Sequence, residues 1–187
     1  MNELLNTTEY FLEEGIIGEI GTPIPIKLTI EEAFYLGEEM NSILRGIEYK
    51  QGKWQNPNQM SAFNKIYKCC SGKEHKNYVE NYEAIKEEYL KDFAESISGV
   101  LAYYGRTRKV KDTTLEVDIE GVALKEIIVL NEEEKFYLRV ETDILLRRFN
   151  LQEYPVRQVT NVLWARAINK VYKAFSGRDY ILYKDIN

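Results

Sequence analysis

The pattern that most limits how this chain can fold is a long amphipathic run. Tyr78, Tyr82, Ile85, Tyr89, Phe93, Ile97, Val100/Leu101 and Tyr104 recur at intervals of three and four residues. That spacing predicts one helix from about 78 to 104, closed by Gly105 and roughly 40 Å long at 1.5 Å per residue. An apolar stripe of this length needs other elements laid along it, so a helix-dominated domain is expected around it. Gly99, inside the run, marks a bend or the close approach of a neighbour.

Local signals supply about four further helices. Thr29-Ile30-Glu31-Glu32 is a capping box, in which Thr29 and Glu32 each satisfy the other's open N–H. The helix it starts, to about Arg45, turns Ala33, Leu36, Met40, Ile43 and Leu44 to one side. Asn56-Pro57-Asn58-Gln59 is a second start, with Asn as cap and Pro at the first helical position, and Gly72 is the stop. Asn131 followed by three glutamates opens a helix to about Phe149. Pro155 precedes the last one, Val156 to Phe175, which ends at Gly177.

Strict alternation in Thr113–Gly121 predicts a strand with Leu115, Val117 and Ile119 inward and Glu116, Asp118 and Glu120 outward. Segments 127–130 and 179–184 are the expected partners in a small antiparallel or mixed sheet. The fold class read from the sequence is therefore α+β, predominantly helical, as a single domain over 1–187. Residues 1–28 read as an N-terminal helix over 3–14 plus an extended arm over 16–28. In that arm Pro23 and Pro25 permit an edge strand but not a central one.

Composition excludes several classes. The chain is 44% hydrophobic with 4 prolines, which argues against disorder and collagen-like repeats. Its longest charge-free apolar stretch, Ser96 to Gly105, is about half of a membrane span. An acidic N-terminus argues against a secretory leader, and adjacent Cys69 and Cys70 cannot staple distant segments, so a cytoplasmic setting is expected. Ile, Asn, Lys, Tyr and Phe number 68 against 33 for Gly, Ala, Arg and Pro, a codon signature of AT-rich genomes such as low-GC bacteria, their phages and plasmids.

Charge is segregated in blocks. Residues 1–40 carry a net −8, 41–112 a net +4, 113–143 a net −6 and 144–187 a net +5. Such blocks either neutralise each other within the fold or form separate surfaces for partners. Glu31, Glu32, Glu38 and Glu39, with Tyr35 beside them, form an acidic ridge on the 30–45 helix suited to a basic protein partner. Arg106, Arg108, Lys109 and Lys111 in the connector, with Arg147, Arg148, Arg157, Arg166, Lys170 and Lys173, would serve nucleic acid or an acidic partner. Fourteen tyrosines, among them Tyr49 and Tyr103, together with Trp54, add aromatic anchors of the kind that interfaces use.

Catalytic constellations are scarce by comparison. The one histidine, His75, lies in the polar run GKEHK and reads as a solvated loop residue. There is no HExxH, no paired CxxC and no GxSxG, and GxxGxxG at Gly15, Gly18 and Gly21 is not a phosphate loop. Cys70 falls on an apolar helix face, while Cys69 is placed to be exposed. The row Glu116, Asp118, Glu120 is the feature most like a Mg²⁺ site, but no matching acids follow it.

The expectation is a non-enzymatic protein-binding factor without metal or cofactor. One concrete form is a phage or mobile-element inhibitor of a host nucleic-acid or defence machine, an anti-CRISPR type of role. The alternative is a DNA- or RNA-binding regulator working through 105–111 and 144–178, and a metal-dependent nuclease ranks third.

Overall fold

The alternation over Thr113–Ile119 does produce a strand, and it is the central one of three. The computed structural model describes residues 22–53, 55–97, 112–150 and 159–180. Within them the order is β1 (Ile24–Leu28), α1 (Ile30–Gly46), α2 (Pro57–Ser71), α3 (Lys76–Ile97), β2 (Thr113–Ile119), β3 (Glu126–Leu130), α4 (Glu132–Asn150) and α5 (Val159–Ser176). Five helices and a small mixed sheet make a predominantly helical α+β fold. The helix expected over 3–14, the first part of the arm, Trp54, Tyr103, the basic connector, Arg157 and residues 181–184 lie outside the described residues.

The sheet differs from expectation in its third member. β1 lies parallel to β2, with Ile24 opposite Leu115 and Leu28 opposite Ile119, and β3 lies antiparallel on the other side. Residues 179 and 180 are in no strand. The reason is local: Asn169 on α5 claims both, donating from Nδ2 to Asp179 Oδ1 at 2.9 Å and accepting from the Tyr180 N–H at 2.9 Å. Pro25 is tolerated because β1 is an edge, as its missing N–H requires. The acidic row of β2 therefore sits on the central strand and does not guard an edge. The edge strand β3 is blunted near its end by Lys65, whose Nζ donates to the Val129 carbonyl at 2.8 Å.

α1, α2 and α4 begin where their sequence supplies a cap. Thr29 and Glu32 form the reciprocal capping box of α1 at 3.2 and 2.9 Å. Asn56 caps α2 through the Asn58 N–H at 2.9 Å, and Gly72 ends it in the left-handed region at φ 75°. Asn131 and Glu134 make a second reciprocal pair at the start of α4, at 2.8 and 3.0 Å.

The core lies between one sheet face and the helices. Ile26, Val117 and Ile128, one from each strand, meet Leu36 of α1, Ile66 of α2 and Val171 of α5. The long helix is described over 76–97, with the expected stretch 98–105 outside the described residues, and it buries Ile85 and Tyr89; the most heavily packed element is α2, which lies on α1, α3, α4 and β3. The α1–α2 crossing is close enough that a Cβ at Gly37 would sit 3.1 Å from Cys70 Cβ. Between α2 and α4 runs a buried polar seam. Glu134, 2% exposed, accepts from Ser61 Oγ at 2.6 Å and Lys65 Nζ at 2.8 Å, while Asn56 and Asn58 donate to Glu133. Satisfied in this way, the seam fixes the register of the two helices. Among the described residues no helix is long and apolar enough to cross a membrane.

Candidate partner-binding surface

The acidic ridge of α1 divides in two when the fold closes. Glu32 is buried, and beyond its capping role its Oε2 takes the Lys170 ammonium of α5 at 2.5 Å. Glu39 is half-buried and accepts from Trp164 Nε1 at 2.8 Å. These two hold α1 against α5 and are not presented to a partner, which corrects their assignment to a free ridge. Glu31 and Glu38 remain exposed, and Tyr35 is half-buried with its ring edge-on to Phe34 at 5.4 Å.

What lies between the two free carboxylates is apolar. Glu31, Phe34 and Glu38 stand at i, i+3 and i+7, so one face of α1 carries a phenyl ring with a carboxylate a turn away on each side. Phe34 and Ile30, one turn apart, are each 60% exposed. The β2–β3 loop closes against this end of α1: a Cβ at Gly121 (φ 80°) would lie 3.7 Å from Ile30 Cδ1. The loop is anchored by the Glu120 N–H on the Leu28 carbonyl (2.9 Å) and the Val122 N–H on the Ile119 carbonyl (3.0 Å). It presents Val122 at 51% and Leu124 at 78% exposure. Ile127, at the start of β3, is exposed as well.

The loop therefore brings part of the second acidic block beside the N-terminal end of α1, where both segments carry exposed apolar side chains. Glu31, Glu38 and Glu120 are exposed on these same segments, while Lys125 is held by Glu116 at 2.7 Å. The sequence reading missed Ile30, Phe34, Val122 and Leu124. A signal existed for the first two, since they fall off the buried arc of Ala33, Leu36, Met40 and Leu44.

Five of the basic candidates, Arg147, Arg148, Arg166, Lys170 and Lys173, fall on described residues, and three of these are paired. Arg147 pairs with Asp143 at 2.8 Å, Lys173 with Asp179 at 3.0 Å and Lys170 with Glu32. Arg148 and Arg166 are exposed. Lys170 is thus a structural cation and not part of a free phosphate-binding stripe. On β2, Glu116 is engaged by Lys125, Asp118 lies opposite Lys27 of β1, and Glu120 lies beyond the strand. Among the described residues no group of three His, Cys, Asp or Glu side chains is placed to hold a metal ion.

His75 and the cysteines also depart from expectation. His75 is only 6% exposed and caps α3: its Nδ1 accepts from the Asn77 N–H at 3.1 Å and its carbonyl from the Val79 N–H at 3.1 Å. Both cysteines are free and half-buried against the core, Cys69 included. A hydrogen bond with the Cys69 thiol, together with burial, pushes the Cys70 thiol far up. No family model matches the chain, and no curated protein or solved structure matches it.

Proposed function

We propose that this chain is a non-enzymatic protein-binding factor that docks a basic protein partner through the surface formed by Ile30, Phe34, Val122 and Leu124. The observation that carries the reading is this apolar patch, with Glu31, Glu38 and Glu120 exposed on the same segments. A monomer has little reason to leave so many large apolar side chains together in water, and such patches mark interaction sites. These carboxylates select a partner of opposite charge and disfavour nucleic acid itself, whose phosphates they would repel. A protein surface that binds nucleic acid has the required positive charge.

In its fuller form the reading makes the chain a phage or mobile-element inhibitor that occupies such a groove on a host nucleic-acid or defence machine, an anti-CRISPR type of role. The AT-rich codon signature supports the source, and the exposed carboxylates support the target. The competing reading, a DNA- or RNA-binding regulator, is weakened by the pairing of Arg147, Lys170 and Lys173 with carboxylates.

Parallel affinity capture from the host lysate tests the proposal, with three baits: the natural chain, Phe34→Ser with Leu124→Ser, and Arg166→Glu with Lys173→Glu. The captured protein is then identified, purified and titrated by calorimetry. The expected partner is basic, loses on the order of tenfold or more in affinity for the first variant, as truncated anchors do, and keeps its affinity for the second. Loss confined to the Arg166/Lys173 variant, with binding of duplex DNA by the purified chain alone, would overturn it.

A further inference from the structure

At the opposite end of α1 from the partner surface lies a groove of about 840 Å³, formed by the end of α1, the 72–75 loop and the start of α3. Its size falls in the range of about 300–1,000 Å³ common to small-molecule sites. The charges lining it are unevenly satisfied. Each carboxylate already has a lysine: Glu48 has Lys50 at 3.0 Å, Glu74 has Lys68 at 3.5 Å, and Glu80 has Lys76 at 3.7 Å. Arg45 and Lys73 are exposed and have no ion-pair partner among the described residues. The uncompensated charge of the groove is therefore positive, and it comes from two separate elements.

We infer that this groove binds a small phosphoryl-bearing ligand of mononucleotide size, with Arg45 and Lys73 on the phosphoryl group. A guanidinium offers paired donors to phosphate oxygens, and an ammonium supplies a mobile point charge beside it. Tyr49, 37% exposed, gives the groove an aromatic face for a planar ring, and Asn41 and Asn81 give it amides for polar edges. None of these residues belongs to the partner surface, so the inference stands or falls independently of the proposed function.

The fold provides its own reporter. His75 lines the groove, its Nε2 lies 3.0 Å from Asn41 Oδ1, and it is the one histidine of the chain, so its imidazole resonance is unambiguous. The Arg45 guanidinium, after burial, holds this imidazole below its usual range. An anion on Arg45 relieves that repulsion.

The test is an NMR titration of the full chain with AMP, and separately with inorganic phosphate, to about 10 mM, which saturates a site of millimolar affinity. The expected result is a saturable shift of the His75 resonance with AMP, a rise in its pKa, and at least about tenfold weaker binding in Arg45→Ala with Lys73→Ala. That double variant should fold normally, since neither side chain is paired. The absence of a saturable shift, or equal binding by the variant, overturns the site. Inorganic phosphate binding as tightly as AMP overturns the mononucleotide assignment. Tighter binding of a single-stranded oligonucleotide overturns the small-molecule assignment in favour of nucleic acid.

Discussion

His75 sits where α1, α2 and α3 meet, and its engaged atoms define what it does. Its N–H donates to Asn64 Oδ1 of α2 at 2.9 Å, its Nε2 reaches Asn41 of α1, and its Nδ1 accepts from the first turn of α3. Because Nδ1 accepts a backbone N–H, the neutral ring carries its proton on Nε2, where it donates to Asn41. Next to it Asn77 Nδ2 donates to the Leu44 and Ile47 carbonyls, tying the start of α3 to the end of α1. Protonation of Nδ1 would remove the cap, and burial and Arg45 both oppose it. The folded-state pKa is thus below that of the unfolded chain, about 6.5. Stability is unaffected by this group above that value, falls as pH drops toward the folded-state pKa, and levels off below it. Urea unfolding at several pH values between about 7.5 and 5 should show that fall in the natural chain and a flatter profile in His75→Gln. His75→Ala should cost about 1–3 kcal/mol at neutral pH, for a lost cap and the lost packing of a buried ring, with the half-buried Asn41 amide left to water. None of this was legible in GKEHK, because every neighbour there is polar and the burial comes from two other helices.

Helix ends were legible because caps are local: the Thr29/Glu32 box, Asn56-Pro57 and Gly72 each act within four residues of themselves. The sheet was only half legible. Alternation identified β2, but β1 pairs with it across about 90 residues of chain, and nothing near Ile24 points to Leu115. The same holds for the α1–α5 contact, where Glu32 and Lys170 are 138 residues apart. That pair changes what a charge reversal reports. Lys170→Glu would set a second carboxylate against a buried one, so it should lower stability by about 3 kcal/mol or more, as broken buried pairs do, without measuring nucleic-acid binding. Arg166→Glu, on an exposed position, should stay within about 0.5 kcal/mol, and adding Lys173→Glu should cost up to about 1 kcal/mol more, since it replaces the exposed pair with Asp179 by two like charges. Chemical denaturation separates the two. At the α1–α2 crossing, Gly37→Ala gains about 1 kcal/mol in helix propensity but forces Cys70 Cβ to move, an overpacking cost of about 1–3 kcal/mol. A net loss near 1 kcal/mol is expected from these opposing effects. Gly46→Ala, in the same helix with nothing within 4 Å of its new methyl, should show no loss. Equal melting temperatures for the two variants would mean that the crossing is not tight.

At the scale of the whole molecule the charge blocks meet different ends. The last basic block spends Lys170 on buried Glu32, Arg147 on Asp143 of the acidic block before it and Lys173 on its own Asp179, while Glu31, Phe34, Glu120 and Leu124 of the two acidic blocks stay exposed. Charge and apolar surface at such a site act on different steps of binding. Exposed carboxylates raise the rate at which a basic partner arrives, an effect that salt screens over about 10 Å at 0.1 M. Buried anchors set how slowly it leaves. A labelled amphipathic Lys/Leu peptide, followed by stopped-flow, separates the two contributions without the natural partner. With the natural chain the association rate should fall steeply with salt. Glu31→Lys with Glu38→Lys should slow association by about tenfold at low salt and remove most of that dependence, leaving dissociation nearly unchanged. Phe34→Ser with Leu124→Ser should do the reverse, speeding dissociation while the salt dependence persists. All four positions are exposed, so Phe34→Ser with Leu124→Ser should leave the unfolding midpoint nearly unmoved, while Glu31→Lys, in the first turn of α1, should cost no more than about 1 kcal/mol through the helix dipole. If both pairs changed the same rate constant, or neither changed any, the peptide would be binding elsewhere, and the exposed glutamates of these segments would be a matter of solvation alone.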